Sequence, residues 1–148
     1  MSIEFITDVD GFISQECPAC NGRFKIIIGE GSPEPISFCP YCGHEGRECW
    51  WTPEQVEYIN AAQKKMVTDY TNSKFKKMAQ KFNRSAGSGF LKMTMSFKPD
   101  GIRHSPAAPA EPDFGYPIYT FSCCNERIKQ NKSENRLFCI ICGSEHQV

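Results

Sequence analysis

Residues 16–43 read ECPACNGRFKIIIGEGSPEPISFCPYCG, with two Cys-x-x-Cys pairs eighteen residues apart. Between Cys17/Cys20 and Cys39/Cys42, RFKIII (23–28) is a β-branched run, GEGSPEP is turn material and ISF (36–38) leads back to the second pair. The pattern predicts a hairpin held shut at its open end by four thiolates. The x-x spacing lets the chain turn tightly, so both sulfurs of a pair face one point, and Gly43 can take the positive φ such a turn requires. Four Cys sulfurs form a closed tetrahedral shell around zinc at about 2.3 Å, with no position left for a substrate. A redox-active pair would belong to a thioredoxin-like βαβ pattern, which the flanking sequence does not provide.

The knuckles CPAC and CPYCG, closing a β-hairpin, resemble the zinc ribbon family found in many transcription factors, polymerase subunits and small bacterial proteins. The lead-in DGFISQECPAC followed by RFKI, and then CPYCGHEG, is similar to uncharacterised bacterial proteins carrying a general-transcription-factor-type ribbon. The resemblance covers about residues 9–60. It implies a fold and a zinc ion, and leaves function open, because ribbons bind DNA, RNA, proteins or only their own domain.

A second stretch, TFSCCNERIKQNKSENRLFCIICG (120–143), repeats part of the pattern. CNGRF (20–24) matches CNERI (124–128), and Cys139 and Cys142 match Cys39 and Cys42. The position of Cys17 is taken by Phe121, which cannot bind metal, so this ribbon departs from the family pattern at its first ligand. RIKQNKSENRLF reads as a hairpin with a polar turn. Cys123 is the nearest replacement ligand and requires a local bend, because neighbours on a strand point to opposite faces. His146 ranks second, loss of the metal third, and an open three-thiolate zinc with catalytic character last. Glu126 and Glu134 read as solvated hairpin residues, not as a general base, and His104 lies in a linker. The candidate ligands are therefore Cys17, Cys20, Cys39 and Cys42 for one zinc, and Cys123, Cys124, Cys139 and Cys142 for another.

Between the ribbons, Thr52-Pro53-Glu54-Gln55 predicts a helix start: an N-cap hydroxyl, Pro at the first position, and acid and amide in the first turn. Val56, Ile59, Ala62, Met66 and Tyr70, then Phe75, Met78 and Phe82, recur at helical spacing, which reads first as core packing. TDYTNS (68–73) holds poor helix formers and offers a place for a kink or a split. LKMTMSFK (91–98) alternates as a half-buried strand would, and 99–117 contains five of the ten prolines and reads as a linker. IYTF (118–121) is a strand entering the second motif. The expected fold class is α+β: two zinc-ribbon hairpin modules (1–50 and 118–148) bracketing a long helical segment (51–86), with a strand and Pro-rich linker over 87–117.

The chain has 148 residues, nine cysteines and a net charge of zero. An odd cysteine count argues against a fully paired disulfide framework. The acidic start, without a basic segment or an apolar run, does not read as a secretory signal, and no stretch approaches the ~20 apolar residues of a membrane span. The expectation is a cytoplasmic protein with reduced thiols. Charge is unevenly spread: residues 1–60 carry ten acidic against three basic side chains, whereas 61–84 carry Lys64, Lys65, Lys74, Lys76, Lys77, Lys81 and Arg84 against Asp69 alone. Lys74, Lys76, Lys77, Lys81 and Arg84 form a candidate phosphate-binding patch, which Arg23, Lys25, Arg127, Lys129, Lys132 and Arg136 on the hairpins would extend. Cys49 reads as a small buried residue beside Trp50 and Trp51, and His44 as polar surface. No nucleophile with a base, phosphate loop or carboxylate pair suggests an enzyme. The expected function is a non-enzymatic zinc-binding adaptor with a protein partner and no small-molecule substrate, and direct nucleic-acid binding is the alternative.

Overall fold

The computed structural model describes residues 3–27, 36–47, 50–86, 93–99, 101, 105–112 and 115–148. It is α+β, with one long helix and small antiparallel sheets. The chain forms two compact units, one built from Glu4–Val56 and Ala108–Val148, the other from Met1–Ile3 and Glu57–Ala107.

In the first unit, β1 (Phe12–Glu16) and β2 (Arg23–Ile27) pair antiparallel, and so do β3 (Ile118–Phe121) and β4 (Glu126–Gln130). The two hairpins join through β2 and β4 into one four-stranded sheet, ordered β1-β2-β4-β3. This differs from the expected hairpins. RFKII does not pair with Ile36–Phe38, nor does β4 pair with β5 (Arg136–Phe138). Each strand instead returns along the strand preceding its own cysteine turn, because the cysteine pair reverses the chain within a few residues. Asn21 and Asn125 take positive φ (55° and 57°) at these reversals, a conformation their short polar side chains tolerate. Their N–H groups donate to Cys17 C=O and Phe121 C=O at 2.8 and 2.7 Å.

The second cysteine pairs lie on tight turns of their own. β5 pairs with β6 (Glu145–Gln147), and a single bridge joins Phe38 to Glu45 at the corresponding place in the first half. These turns exchange hydrogen bonds: Phe38 N–H donates to Ile140 C=O, and Phe138 N–H donates to Pro40 C=O. The halves are thus related by an approximate two-fold axis, and the Lys25–Lys129 register pair of β2 and β4 lies at its centre.

One sheet face carries the apolar core: Phe24, Trp50, Phe121, Ile128, Leu137 and Ile140, with Cys17, Cys39 and Cys139. The opposite face carries Phe12, Ser14, Lys25 and Lys129. Both lysines are almost completely buried, and the loop before β1 neutralises them. Asp8 Oδ2 accepts from Lys25 Nζ (3.1 Å) and Lys129 Nζ (2.9 Å), while its Oδ1 accepts from the N–H groups of Asp10 and Phe12. Lys129 also donates to Asp10 (2.6 Å), and Lys25 to the Pro112 carbonyl (2.5 Å), with Glu111 at 3.6 Å. Part of the expected linker is therefore fixed: Glu111 is buried against this face, accepting from Ser14 Oγ at 2.7 Å.

The helix α1 (Pro53–Ser85) starts where expected. Gln55 N–H donates to Thr52 Oγ1 and Thr52 N–H donates to Gln55 Oε1, a reciprocal capping box that satisfies two otherwise unpaired amides. Gln55 Nε2 reaches Ser14 C=O at 3.0 Å, tying the helix start to β1. Trp50 enters the core, and Trp51 stacks on Phe5 at 4.8 Å.

In the second unit, α1 continues as one helix across 68–73 without the expected split. Its 33 residues span about 50 Å. Ala62 and Ala79 are buried, whereas Val56, Met66, Val67, Tyr70, Phe75 and Met78 are exposed, so most of the apolar stripe is not core. Residues 93–98 form no strand; 91 and 92 lie outside the described residues, as do Cys49 and His104. A strand needs a neighbouring edge, and here a side chain substitutes for it. Asn83 accepts from Met95 N–H (2.8 Å) and donates to Met95 C=O (3.0 Å), while Phe97 stacks on Phe75.

Burial tends to raise the Asp8 pKa, but the bonds from Lys129, Phe12 N–H, Lys25 and Asp10 N–H outweigh it and hold this carboxyl well below the usual range. A folded value below the unfolded ~3.9 means that the Asp8 contribution is complete above about pH 4 and declines as pH falls toward the folded value. Asp8→Asn is expected to cost about 3 kcal/mol at pH 7, because it leaves buried ammonium groups short of a counter-charge. In urea denaturation, the gap between the two proteins should narrow from pH 7 to pH 3; a constant gap would exclude the charge as its cause.

Candidate metal centres

The eight expected cysteines fall into two groups of four. In each group, all sulfurs lie within 4.8 Å of one another. The first pair of each group comes from the hairpin reversal and the second from the tight turn after it.

In the first group, Cys17 and Cys39 are buried, Cys20 is half-buried and Cys42 exposed. Cys17 Sγ lies 3.8 Å from Cys42 Sγ, and Cys20 Sγ lies 3.8 Å from Cys39 Sγ. Four sulfurs 2.3 Å from a central ion in a regular tetrahedron lie about 3.8 Å apart, so these donors have the spacing to hold one. Ala19 N–H points to Cys17 Sγ and Tyr41 N–H to Cys39 Sγ, each at 3.4 Å. Such amides favour the thiolate and fix its direction. Burial nevertheless pushes the Cys39 thiol well up, against the N–H bonds from Cys42 and Tyr41. The Tyr41 hydroxyl donates to Arg23 C=O and accepts from Asn131 N–H, linking this turn to both halves of the chain.

The second group comprises Cys123, Cys124, Cys139 and Cys142. Phe121 occupies the place of Cys17 and, like it, is completely buried. The fourth thiol comes from Cys123, on the exposed turn, with its sulfur 3.5 Å from Cys142 Sγ. Ser144 Oγ lies 3.1 Å from Cys142 Sγ and 3.2 Å from Cys123 Sγ, and His146 Nε2 lies 3.3 Å from Cys123 Sγ. The geometry thus gathers the first- and second-ranked candidates for the missing ligand at one place. The thiols differ in proton affinity: the Ser144 hydroxyl and its backbone N–H lower Cys142 to about 6, the bond to Cys142 pushes Cys124 up to about 12, and burial raises Cys139.

Both groups could hold a metal ion. The donors are all soft sulfurs, a set that suits zinc or iron and not magnesium or calcium. No protein-family model, curated protein or solved structure matches the chain.

Of the expected basic residues, Arg127, Lys132 and Arg136 are exposed, with Arg136 3.6 Å from Glu145; the others separate into two sets. Lys74, Lys76, Lys77, Lys81 and Arg84 are exposed along α1. Lys25 and Lys129 are not available to a polyanion, because both are buried against Asp8, and Arg23 is bonded to Glu16 and Glu54. By sequence alone they count as an extension of the phosphate-binding patch. Only the fold shows that a loop and a distant proline-rich segment cover the non-core face of the sheet.

Gly43 and Gly143 end the second turn of each group with φ of +69° and +73°. A Cβ at Gly143 would meet the Phe38 ring at 2.8 Å, and one at Gly43 the Phe138 ring at 3.3 Å. Each group is thus packed by an aromatic ring from the other half. Alanine should cost roughly 1–2 kcal/mol at either position from the left-handed backbone. Gly143→Ala should cost more than Gly43→Ala in paired thermal melts, and the reverse order would contradict this packing.

Proposed function

We propose that this protein is a double zinc ribbon in which two ions play a structural part, and that it works as a non-enzymatic adaptor. The observation that carries the reading is the 3.8 Å sulfur spacing of the first group, together with its near-repeat in the second. Four thiolates per ion leave no coordination position for a substrate, which favours structure over catalysis. The core around the sites is small, so zinc would contribute folding free energy directly. The resemblance of CPAC and CPYCG to ribbon knuckles supports the same assignment. A reducing compartment fits the unpaired thiols. Among the described residues, no helix is long and apolar enough to cross a membrane.

The adaptor role draws on α1. Val67 and Tyr70 are each 65% exposed, and Met66, Phe75 and Met78 add to the apolar surface on the helix. Such side chains supply anchors for a protein partner. A second reading, direct nucleic-acid binding, has its own support: Lys74, Lys77, Lys81 and Arg84 recur at alternating three- and four-residue steps and are exposed. Among the described residues, none of them is ion-paired to a carboxylate. Lys74 packs over Tyr70 at 5.3 Å.

Purified protein is expected to bind two equivalents of zinc, and removal by a strong chelator should abolish the cooperative melt of the sheet. An unchanged melt after the metal has gone would sink the structural role. Binding to labelled single- and double-stranded oligonucleotides across a salt series separates the two functional readings. Salt-sensitive binding lost in Lys74→Glu/Lys77→Glu/Lys81→Glu would select the nucleic-acid reading, and no binding at low salt would select the protein partner.

A further inference from the structure

The two cysteine groups occupy equivalent places and differ at one ligand. In the first, Cys17 is buried at the end of β1. In the second, Phe121 fills that place and the fourth thiol moves out to Cys123, which is exposed. A second difference accompanies the first. The turn CGHEG (42–46) corresponds to CGSEH (142–146), so His146 stands where the first half has Gly46.

The imidazole is held in position. Its ring meets Phe121 edge-on at 5.4 Å and 70°, and Tyr119 at 6.4 Å and 73°. Its Nε2 lies 3.3 Å from Cys123 Sγ and 3.1 Å from Ser144 Oγ. Phe121 therefore both removes a thiol from the buried position and supports a nitrogen donor beside the exposed thiol that replaces it. The second group brings four sulfurs together for the four positions of a tetrahedral ion, and a nitrogen donor lies beside one of them, Cys123.

We propose that the second cysteine group is a metal site with an exchangeable ligand: His146 takes the coordination position of Cys123, and the released Cys123 is a modification site for soft electrophiles. This rests on the reading of both groups as zinc sites. Three cysteines and one histidine form an ordinary zinc ligand set, so the exchange keeps the coordination number and replaces one anionic donor with a neutral one. Cys123 and Cys142 are both exposed and Cys139 is buried in the core; Cys123 is the ligand to leave, because its sulfur lies 3.3 Å from His146 Nε2. With an alkyl halide, the Cys123 thiolate forms an S–C bond as the carbon–halogen bond breaks and halide departs. The thioether no longer competes for the ion. In the first group the position matching His146 is Gly46.

The test uses the full chain loaded with Zn²⁺, one equivalent of iodoacetamide, mass mapping of the alkylated residue and a metal count. Cys123 should carry the first alkyl group; the wild type should then keep two ions, and His146→Ala should fall to one. Independently of alkylation, Cys123→Ala should hold two ions and Cys123→Ala/His146→Ala one, with the cobalt-substituted single variant showing one thiolate fewer in its charge-transfer band. Equal ion loss in alkylated wild type and His146→Ala, or a first alkyl group elsewhere, would overturn the exchange while leaving the zinc sites intact. A wild-type protein that takes up no second ion before alkylation would instead remove the zinc reading of this group, and the exchange with it.

Discussion

Asp8 resolves a conflict set by strand register. The pairing of β2 with β4 places Lys25 directly opposite Lys129 on one face of the sheet. Two ammonium groups so placed repel, and burying both without a partner would break the seam between the two hairpins. Asp8 lies between them, accepts from both, and has its other oxygen saturated by backbone N–H groups. Asp10 and Glu111 complete the neutralisation from either side. The apolar face, with its core and sulfurs, depends on this arrangement, because the same four strands carry both faces.

The two halves show how one substitution propagates through a repeated scaffold. The reversal with its positive-φ Asn, the tight turn with its positive-φ Gly and the exchanged backbone bonds are all present twice. Cysteine gives way to Phe121 at a single buried position. The metal-competent cluster survives because the adjacent turn supplies Cys123, and the gap in the core is filled by a larger apolar ring. The result is a group more open to solvent than its counterpart and surrounded by hydroxyl and imidazole groups.

What could be read from the sequence was local. Cys17/Cys20 and Cys39/Cys42 announce a four-sulfur cluster through their spacing, Thr52 and Gln55 announce a helix start, and the match of CNGRF to CNERI locates Phe121 at the missing ligand. The same reading misplaced strand partners, because nothing within RFKII states whether it pairs forward, backward or with a segment a hundred residues away. Lys25 and Lys129 read as part of a phosphate-binding surface, because a local stretch of sequence does not state what covers it. The Met95 segment has the alternation of a strand and, among the described residues, pairs with no strand. At the second group, the sequence ranked Cys123 against His146 as rivals; their side-by-side placement depends on β6 running back along β5, a pairing no local pattern encodes.

The β2–β4 seam also bears on how the chain is made. Its register couples residues 24–26 to residues 128–130, so the hairpin synthesised first must wait for about a hundred further residues before its inner edge is covered. Until then, β2 presents unpaired backbone groups beside Phe24 and Ile26, the kind of edge that recruits other strands. Lys25 stands in the middle of that edge without its counterpart Lys129, and a charge at mid-strand discourages pairing with a second copy of the same segment. The lysine that Asp8 neutralises in the finished sheet is thus the same one that keeps an uncovered β2 edge charged.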